Sequence, residues 1–196
     1  MVIADEAQLV RSSQRGDLDA FNTLVQIHQR QVYNLCLRML GPAAAEDAAQ
    51  ETFITAYRRI SSFRGGNFRA WLLRIAANIC CDALRHRRSR PAASLEAALE
   101  AGSPTDVPSP LPNPEEEALR RELGRHLQQG LATLPAEQRL AIILRDIHGL
   151  SYEELTEALG CSLGTVKSRI ARGRARMREY LMARRELLPR QFRLKQ

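Results

Sequence analysis

The sequence predicts an all-α protein: two small helical domains joined by a flexible linker. Three observations carry that expectation. Aromatic residues make up only 5% of the 196 residues while Ala, Leu and Arg are frequent, a balance that favours helix over sheet. Apolar residues recur at helical spacing in segment after segment. Composition shifts sharply once, between Arg85 and Pro114, where Pro104, Pro108, Pro110, Pro112 and Pro114 preclude a regular helix. The implied division is a first domain over 1–87, a Pro-rich linker over 88–113, a second domain over 114–183 and a basic tail over 184–196.

The elements follow in order. A first helix is expected near Asp5–Gln14; Gly16 breaks it and Asp17 can cap the next. That second helix runs to about Leu40, with Phe21, Leu24, Val25, Val32, Leu35, Cys36 and Met39 at helical spacing, and Gly41-Pro42 stops it. A third spans about Ala43–Ser61, with Phe53, Ile54 and Tyr57 placed to pack inward. A Gly-rich loop, "SFRGGNF", occupies Ser62–Phe68, and a fourth helix covers about Arg69–Arg87 with Trp71, Leu72, Ile75, Ile79 and Ala83 toward the core. "SLEAALEA" (Ser94–Ala101) is compatible with a short helix inside the linker. In the second domain Asn113 can cap, Pro114 suits the first helical position, and Glu115, Glu116 and Glu117 favour the positive helix end. That helix runs to about Thr133; Pro135 opens another, ending near His148-Gly149. "SYEE" (Ser151–Glu154) is a capping box for a short helix ending at Gly160, and Ser162 can cap a final helix reaching about Arg185.

Lys plus Arg number 29 against 22 Asp plus Glu, a net charge of +7 that points to a polyanionic partner. No apolar run approaches the roughly 20 residues of a membrane span, so no membrane insertion is expected. The start "MVIADEAQLV" lacks the basic and apolar blocks of a signal peptide, which implies a cytoplasmic protein. Cys36, Cys80, Cys81 and Cys161 form no C-x-x-C pair and read as buried free thiols. No metal cluster, Ser/His/Asp set or phosphate-cradling motif is present, so neither a metal, a cofactor nor an enzymatic activity is expected.

The final helix carries the strongest signal. Two helices joined by a short Gly-containing turn make a helix-turn-helix candidate. Turning the last helix by about 100° per residue puts Val166, Ile170, Gly173 and Met177 on one side. Ser168, Ala171, Arg172 and Ala175 fall opposite, with Lys167 and Arg178 on one edge and Arg169 and Arg176 on the other. An ordinary solvated helix mixes Glu with Lys and Arg, but Glu179 is the one acidic residue from Gly160 to Arg185. Small residues let a helix sit deep in a major groove; Ser and Arg can reach base edges while the flanking cations hold phosphates. Thr165 and the first-turn N–H groups add phosphate contacts.

The stretch "LPAEQRLAIILRDIHGLSYEELTEALGCSLGTVKSRIARGRARMREYL" resembles region 4 of bacterial sigma factors of the extracytoplasmic-function (ECF) class. "AAAEDAAQETFITAYRRISSFRGGNFRAWLLRIAANICCDALRHRR" resembles region 2 of the same class. The resemblance covers both domains, in order, with no region 3 between them. It implies an initiation subunit that binds core RNA polymerase and directs it to promoters. Region 4 would read the −35 element and region 2 the −10 element, often under the control of an anti-sigma factor. The protein would be a monomer when free of polymerase.

Matching positions assign −35 contacts to Lys167, Ser168, Ala171 and Arg172, and the helix geometry above adds Thr165, Arg169 and Arg176. In region 2 the loop "SFRGGNF" matches the loop that captures a −10 base flipped from the stack, with Phe63 as the stacking aromatic and Asn78 at the extruded base. An unpaired base needs a π surface and a hydrogen-bonding edge. Arg64, Arg69 and Arg74 are expected to hold the single strand's phosphates, Asn67 of the loop is assigned to the −10 element with them, and Asp82 and Arg85 continue the helix toward the upstream duplex. Glu46, Asp47, Gln50 and Glu51 form one polar, acidic helix face; the resemblance implies contact with the clamp helices of the polymerase's largest subunit. The alternative, a stand-alone helix-turn-helix regulator binding a palindrome as a dimer, leaves the first domain without a role.

Overall fold

The computed structural model describes residues 5–89 and 114–184. Among them are eight α-helices: α1 (Glu6–Gln14), α2 (Leu18–Leu40), α3 (Pro42–Arg59), α4 (Phe68–Ser89), α5 (Pro114–Thr133), α6 (Ala136–Ile142), α7 (Tyr152–Leu159) and α8 (Leu163–Ala183). A 3₁₀ turn over Ile60–Ser62 follows α3, and a π-helical segment over Ile143–Ile147 follows α6. The all-α expectation holds. Most of the linker, its Ser94–Ala101 helix, the Asn113 cap and the tail beyond Arg184 lie outside the described residues.

Local chemistry sets the helix ends. The Asp17 carboxylate accepts from the Ala20 N–H at 3.0 Å and starts α2. Gly41, at φ 81°, turns the chain where a Cβ would strain it, and Pro42 then opens α3 at its first position. Ser151 and Glu154 form the reciprocal capping box: the Glu154 N–H donates to Ser151 Oγ at 3.2 Å, and the Ser151 N–H donates to Glu154 Oε2 at 2.8 Å. The helix expected from Pro135 onward differs in one respect. After Ile142 it widens, the His148 N–H reaching the Ile143 carbonyl at 3.0 Å.

Helix α2 is the spine. Phe21, Leu24, Val32, Leu35, Cys36, Leu37, Met39 and Leu40 are buried along it, and α1, α3, α4, α5 and α6 all pack against it. Helix α3 packs against α2 and α4 and buries Ala45, Ala48, Ala49, Thr52 and Ala56. This small-residue stripe takes the inward position expected of Ile54 and Tyr57. Those two are instead 39% and 41% exposed, because they lie beside the stripe; the Tyr57 ring rests edge-on against Phe21 at 5.0 Å. On α4 the buried set is wider than expected, adding Leu73, Ala76, Ala77 and Cys80 to Leu72 and Ile75, while Trp71 is half-buried. Cys36 and Cys80 are buried; Cys81 and Cys161 are half-buried.

The two halves do not stand apart on their tether. Their buried apolar residues form one cluster. The last carbonyls of α2, which have no partner within the helix, are met from the C-terminal half. Gln128 Nε2 donates to the Leu37 and Arg38 carbonyls at 3.2 and 3.3 Å, and Arg139 Nη1 donates to the Met39 carbonyl at 2.8 Å. Helix α4 lies against α7, and Arg69 Nη2 donates to the His148 carbonyl. Burial, together with the nearby Arg69 and Arg38 charges, lowers the His148 pKa to about 4.

Helix α8 closes on α6 at Gly173, where an added Cβ would lie 2.6 Å from Ile142 Cδ1 and 3.3 Å from the Gln138 carbonyl oxygen. We expect Gly173→Ala to destabilise the fold. The helix-propensity gain of about 1 kcal/mol is outweighed by overpacking worth about 1–3 kcal/mol. An added Cβ at Gly130 meets side-chain atoms alone, the Tyr180 ring at 2.9 Å and the Met177 end at 3.0 Å, so Gly130→Ala should cost less than Gly173→Ala, which also meets backbone. Denaturant melts of the two variants check the contrast. His148 gives a second expectation. Its lowered pKa favours the packed halves above about pH 6.5, and that contribution is lost as the pH falls toward about 4. Small-angle scattering across this range should show the halves separating, and His148→Gln should flatten the response.

Candidate nucleic-acid interface

Helix α8 enters through a three-residue turn. Gly160 sits in the left-handed region at φ 60°, ψ 35°, and ends α7. Ser162 then caps α8, accepting from the Thr165 N–H at 3.3 Å. Val166, Ile170 and Gly173 are buried and Met177 is half-buried, as the helical wheel places them. Lys167, Ala171, Arg172, Ala175 and Arg176 are exposed on the other side. The half-buried Ser168 hydroxyl is turned back onto its own helix, donating to the Thr165 carbonyl at 2.9 Å.

The basic residues of α8 divide into two kinds. Arg169 Nη2 lies 2.6 Å from Glu137 Oε2, and Arg169 Nη1 contacts Cys161 Sγ at 3.4 Å; the side chain is 22% exposed. Arg174 grips Asp146 with two nitrogens, at 2.5 and 3.0 Å. Both therefore tie α8 to α6 and the π-helical segment that follows it. By contrast, no carboxylate among the described residues lies within ion-pair distance of Lys167, Arg172 or Arg176. Arg172 lies on the small-residue face and Lys167 and Arg176 along its two edges, Lys167 Nζ being 5.8 Å from the centre of the Tyr152 ring. The structure thus places Arg169, one of the expected DNA contacts, in a bracing position, a difference no helical wheel reveals because Glu137 is remote in sequence.

The second surface surrounds the Gly-rich loop. Phe63 is half-buried, its ring edge-on to Phe68 at 5.5 Å and tilted against Trp71 at 5.4 Å. Gly65 and Gly66 turn the chain at φ 94° and 91°, in the region that favours glycine. Asn67 Oδ1 then accepts from the Ala70 N–H at 3.2 Å and starts α4. Arg64, Arg74, Asn78, Asp82 and Arg85 are exposed. Arg85 Nη1 lies 2.6 Å from Asp82 Oδ1, so these two form a local pair on the outside of α4.

The C-terminal half faces this loop. Asn67 Nδ2 donates to Glu154 Oε1 at 2.5 Å. A cleft of about 330 Å³ is lined by Phe63, Arg64, Asn67 and Arg74 on one side and by Glu154 and Glu157 of α7 on the other. Glu154 therefore serves both its own helix cap and the loop, a role its position in a capping box did not signal. Glu46, Asp47, Gln50 and Glu51 are all exposed along α3, on the side away from its alanine stripe.

Two such surfaces on one chain match a known pairing. Residues 24–90 match sigma-70 region 2, and residues 125–177 match sigma-70 region 4. The chain belongs to the sigma-70 family. The ECF RNA polymerase sigma factor SigE of Mycolicibacterium smegmatis is 44% identical over 166 residues, which cover 84% of this chain and 62% of that protein. SigW of Bacillus subtilis, also an ECF RNA polymerase sigma factor, is 39% identical over 178 residues, 88% of this chain and 94% of that protein. The sigma factor RpoE of Bartonella quintana, solved in complex with the anti-sigma factor NepR, superposes with a TM-score of 0.65 at 26% identity, covering 84% of this chain and 98% of that chain. As a sigma factor of the ECF class, the protein is a promoter-directing subunit of RNA polymerase and not an enzyme. No helix among the described residues is long and apolar enough to cross a membrane.

The division within α8 has a measurable consequence. Arg169→Ala should lower stability by about 1 kcal/mol, within the usual range for a partly exposed ion pair. Arg172→Ala should leave stability within about 0.5 kcal/mol of the parent. Thermal melts of the free protein test this; equal losses for both would contradict the division.

Proposed function

We propose that α8 reads the −35 element in the duplex and that the loop after α3, with the exposed face of α4, captures the opened −10 strand. On the −35 side Lys167, Arg172 and Arg176 supply the charge, Ala171 lets the helix lie deep, and Thr165 lies at the helix start where a phosphate is favoured. On the −10 side Phe63 offers the ring for an unstacked base, Asn78 its hydrogen-bonding edge, and Arg64 and Arg74 the phosphate contacts. Glu46, Asp47, Gln50 and Glu51 meet the polymerase clamp helices. The working units are 1–87 and 114–183, with 88–113 as the tether between two sites on the polymerase. The observation that carries the reading is the coexistence of both surfaces: a helix with exposed cations, Lys167, Arg172 and Arg176 among them, that no carboxylate of the described residues neutralises, and an aromatic, glycine-turned loop beside exposed Arg and Asn.

Asn67 is held by Glu154, so strand capture requires α7 to move away from α4. Polymerase binding supplies that separation by engaging the two units at distant sites. The complex of RpoE with NepR supports an anti-sigma factor as a partner for this chain too. A dimeric regulator is not favoured, because it leaves the region 2 match over 24–90 without a use.

The experiment mixes the purified protein with core polymerase and supercoiled DNA and maps promoter-specific transcripts. Lys167→Ala and Arg172→Ala should each weaken −35 recognition by about 1–3 kcal/mol if a base contact is lost. Uniform loss across −35 variants would mark phosphate contacts instead. Phe63→Ala should impair strand opening, read by permanganate reactivity, while duplex −35 binding stays intact; unchanged opening would refute the stacking role. Failure to bind core polymerase would overturn the whole reading.

A further inference from the structure

Helix α1 lies before residue 24, where the region 2 match begins. Its geometry relates it directly to the loop. Gln14, the last residue of α1, reaches across with its side-chain amide. Nε2 donates to the Phe63 carbonyl at 2.7 Å and to the Ile60 carbonyl at 3.1 Å. These two carbonyls bracket the 3₁₀ turn that leads into the loop. The other hydrogen bonds of this turn are local: the Phe63 N–H to the Ile60 carbonyl at 3.1 Å, and Ser62 Oγ to the Arg59 carbonyl at 2.6 Å.

The segment needs an outside tie. Beyond Phe63 the chain passes through two glycines at positive φ, residues that restrict the backbone least. A tie at the Phe63 carbonyl fixes where the aromatic side chain leaves the backbone. Helix α1 is itself anchored, so the tie has a fixed origin. Val10 and Ser13 are buried against the rest of the domain, and Glu6 Oε1 lies 2.9 Å from Nε2 of the buried His28. Between α1 and the loop runs a cleft lined by Asp5, Glu6, Arg11, Gln14, Phe63 and Asn67, among others. The loop is thus held at its base and open above it.

We propose that Gln14 is a positioning residue for strand capture: its amide, donating to the Ile60 and Phe63 carbonyls, holds the Phe63 loop in the conformation that receives an unpaired −10 base. This rests on the reading of that loop as the capture site. Gln14 itself touches the loop backbone and not the base. Its effect is on preorganisation: an untied loop must be ordered at the moment of binding, which weakens binding without removing any contact.

The test uses the full-length protein bound to core polymerase. The probe is a pool of short single-stranded DNA oligonucleotides of random sequence, selected for binding and sequenced. The wild type should enrich a sequence. Gln14→Glu, which keeps the shape but loses the donor, and Gln14→Ala should both lower affinity for that sequence by about tenfold, the scale of a lost hydrogen-bonding group. Gln14→Lys, which restores a donor, should recover part of it. Affinity for core polymerase and for duplex −35 DNA should be unchanged in all three.

The proposal is overturned if the Glu and Ala variants bind the enriched strand as the wild type does. It is equally overturned if core polymerase binding falls in the same measure, because that marks a merely structural role. Phe63→Ala separates this inference from the reading beneath it. If Phe63→Ala keeps the enrichment, the capture loop is wrongly assigned and both fail. Should Phe63→Ala lose it while the Gln14 variants keep it, only the role of Gln14 fails.

Discussion

The C-terminal end of α2 is the point on which the arrangement depends. This helix is the spine of the N-terminal half, buried along much of its length, and its last carbonyls point at the C-terminal half. A buried carbonyl without a donor is costly. Donors come from three places: the Gly41 N–H to the Leu37 carbonyl, Arg87 to the Leu40 carbonyl, and Gln128 and Arg139 to Leu37, Arg38 and Met39. The positive charge of Arg139 also suits the negative end of the helix dipole. One helix end thereby joins two units that the chain connects only through residues 90–113.

That joining has a cost for function. The seam is built from residues of the proposed capture surface: Asn67 is bonded to Glu154, Arg69 to the His148 carbonyl, and the cleft beside the loop carries Glu154 and Glu157 opposite Arg64 and Arg74. Carboxylates on α7 thus line the same cleft as the arginines proposed to hold phosphates. The packed form is therefore stable through the same polar groups that nucleic acid would engage, and reading DNA exchanges one set of partners for another. The proposed −35 surface is built differently. Its exposed cations Lys167, Arg172 and Arg176 face outward, while Arg169 and Arg174 are spent on Glu137 and Asp146 to hold α8 at its angle.

Much of this was legible in the sequence. Helix boundaries followed from caps with local chemistry, such as Asp17, Gly41-Pro42, Ser151–Glu154 and Ser162. The core stripe of α8 followed from helical spacing alone. Where reading failed, the deciding partner was remote or small. Ile54 and Tyr57 look like core residues, but a run of alanines packs more closely and takes that position on α3. The widening after Ile142 has no residue that announces it. Gln14 ends a short helix with no unusual neighbour, and its partners lie 46 and 49 residues away.

The sequence by itself determined the all-α class, the two units, the glycine-turned aromatic loop and the charged face of α8. All of these are set by interactions within a few residues: caps, spacing, backbone freedom and the sign of neighbouring side chains. Only the tertiary structure decided which charges stay available and which are used up. It paired Arg169 with Glu137, set Gln14 beneath Phe63 and brought Glu154 to Asn67. These are meetings between distant segments, fixed by how helices pack, and a hydrogen bond between side chains remote in sequence leaves no periodic trace in the chain that makes it.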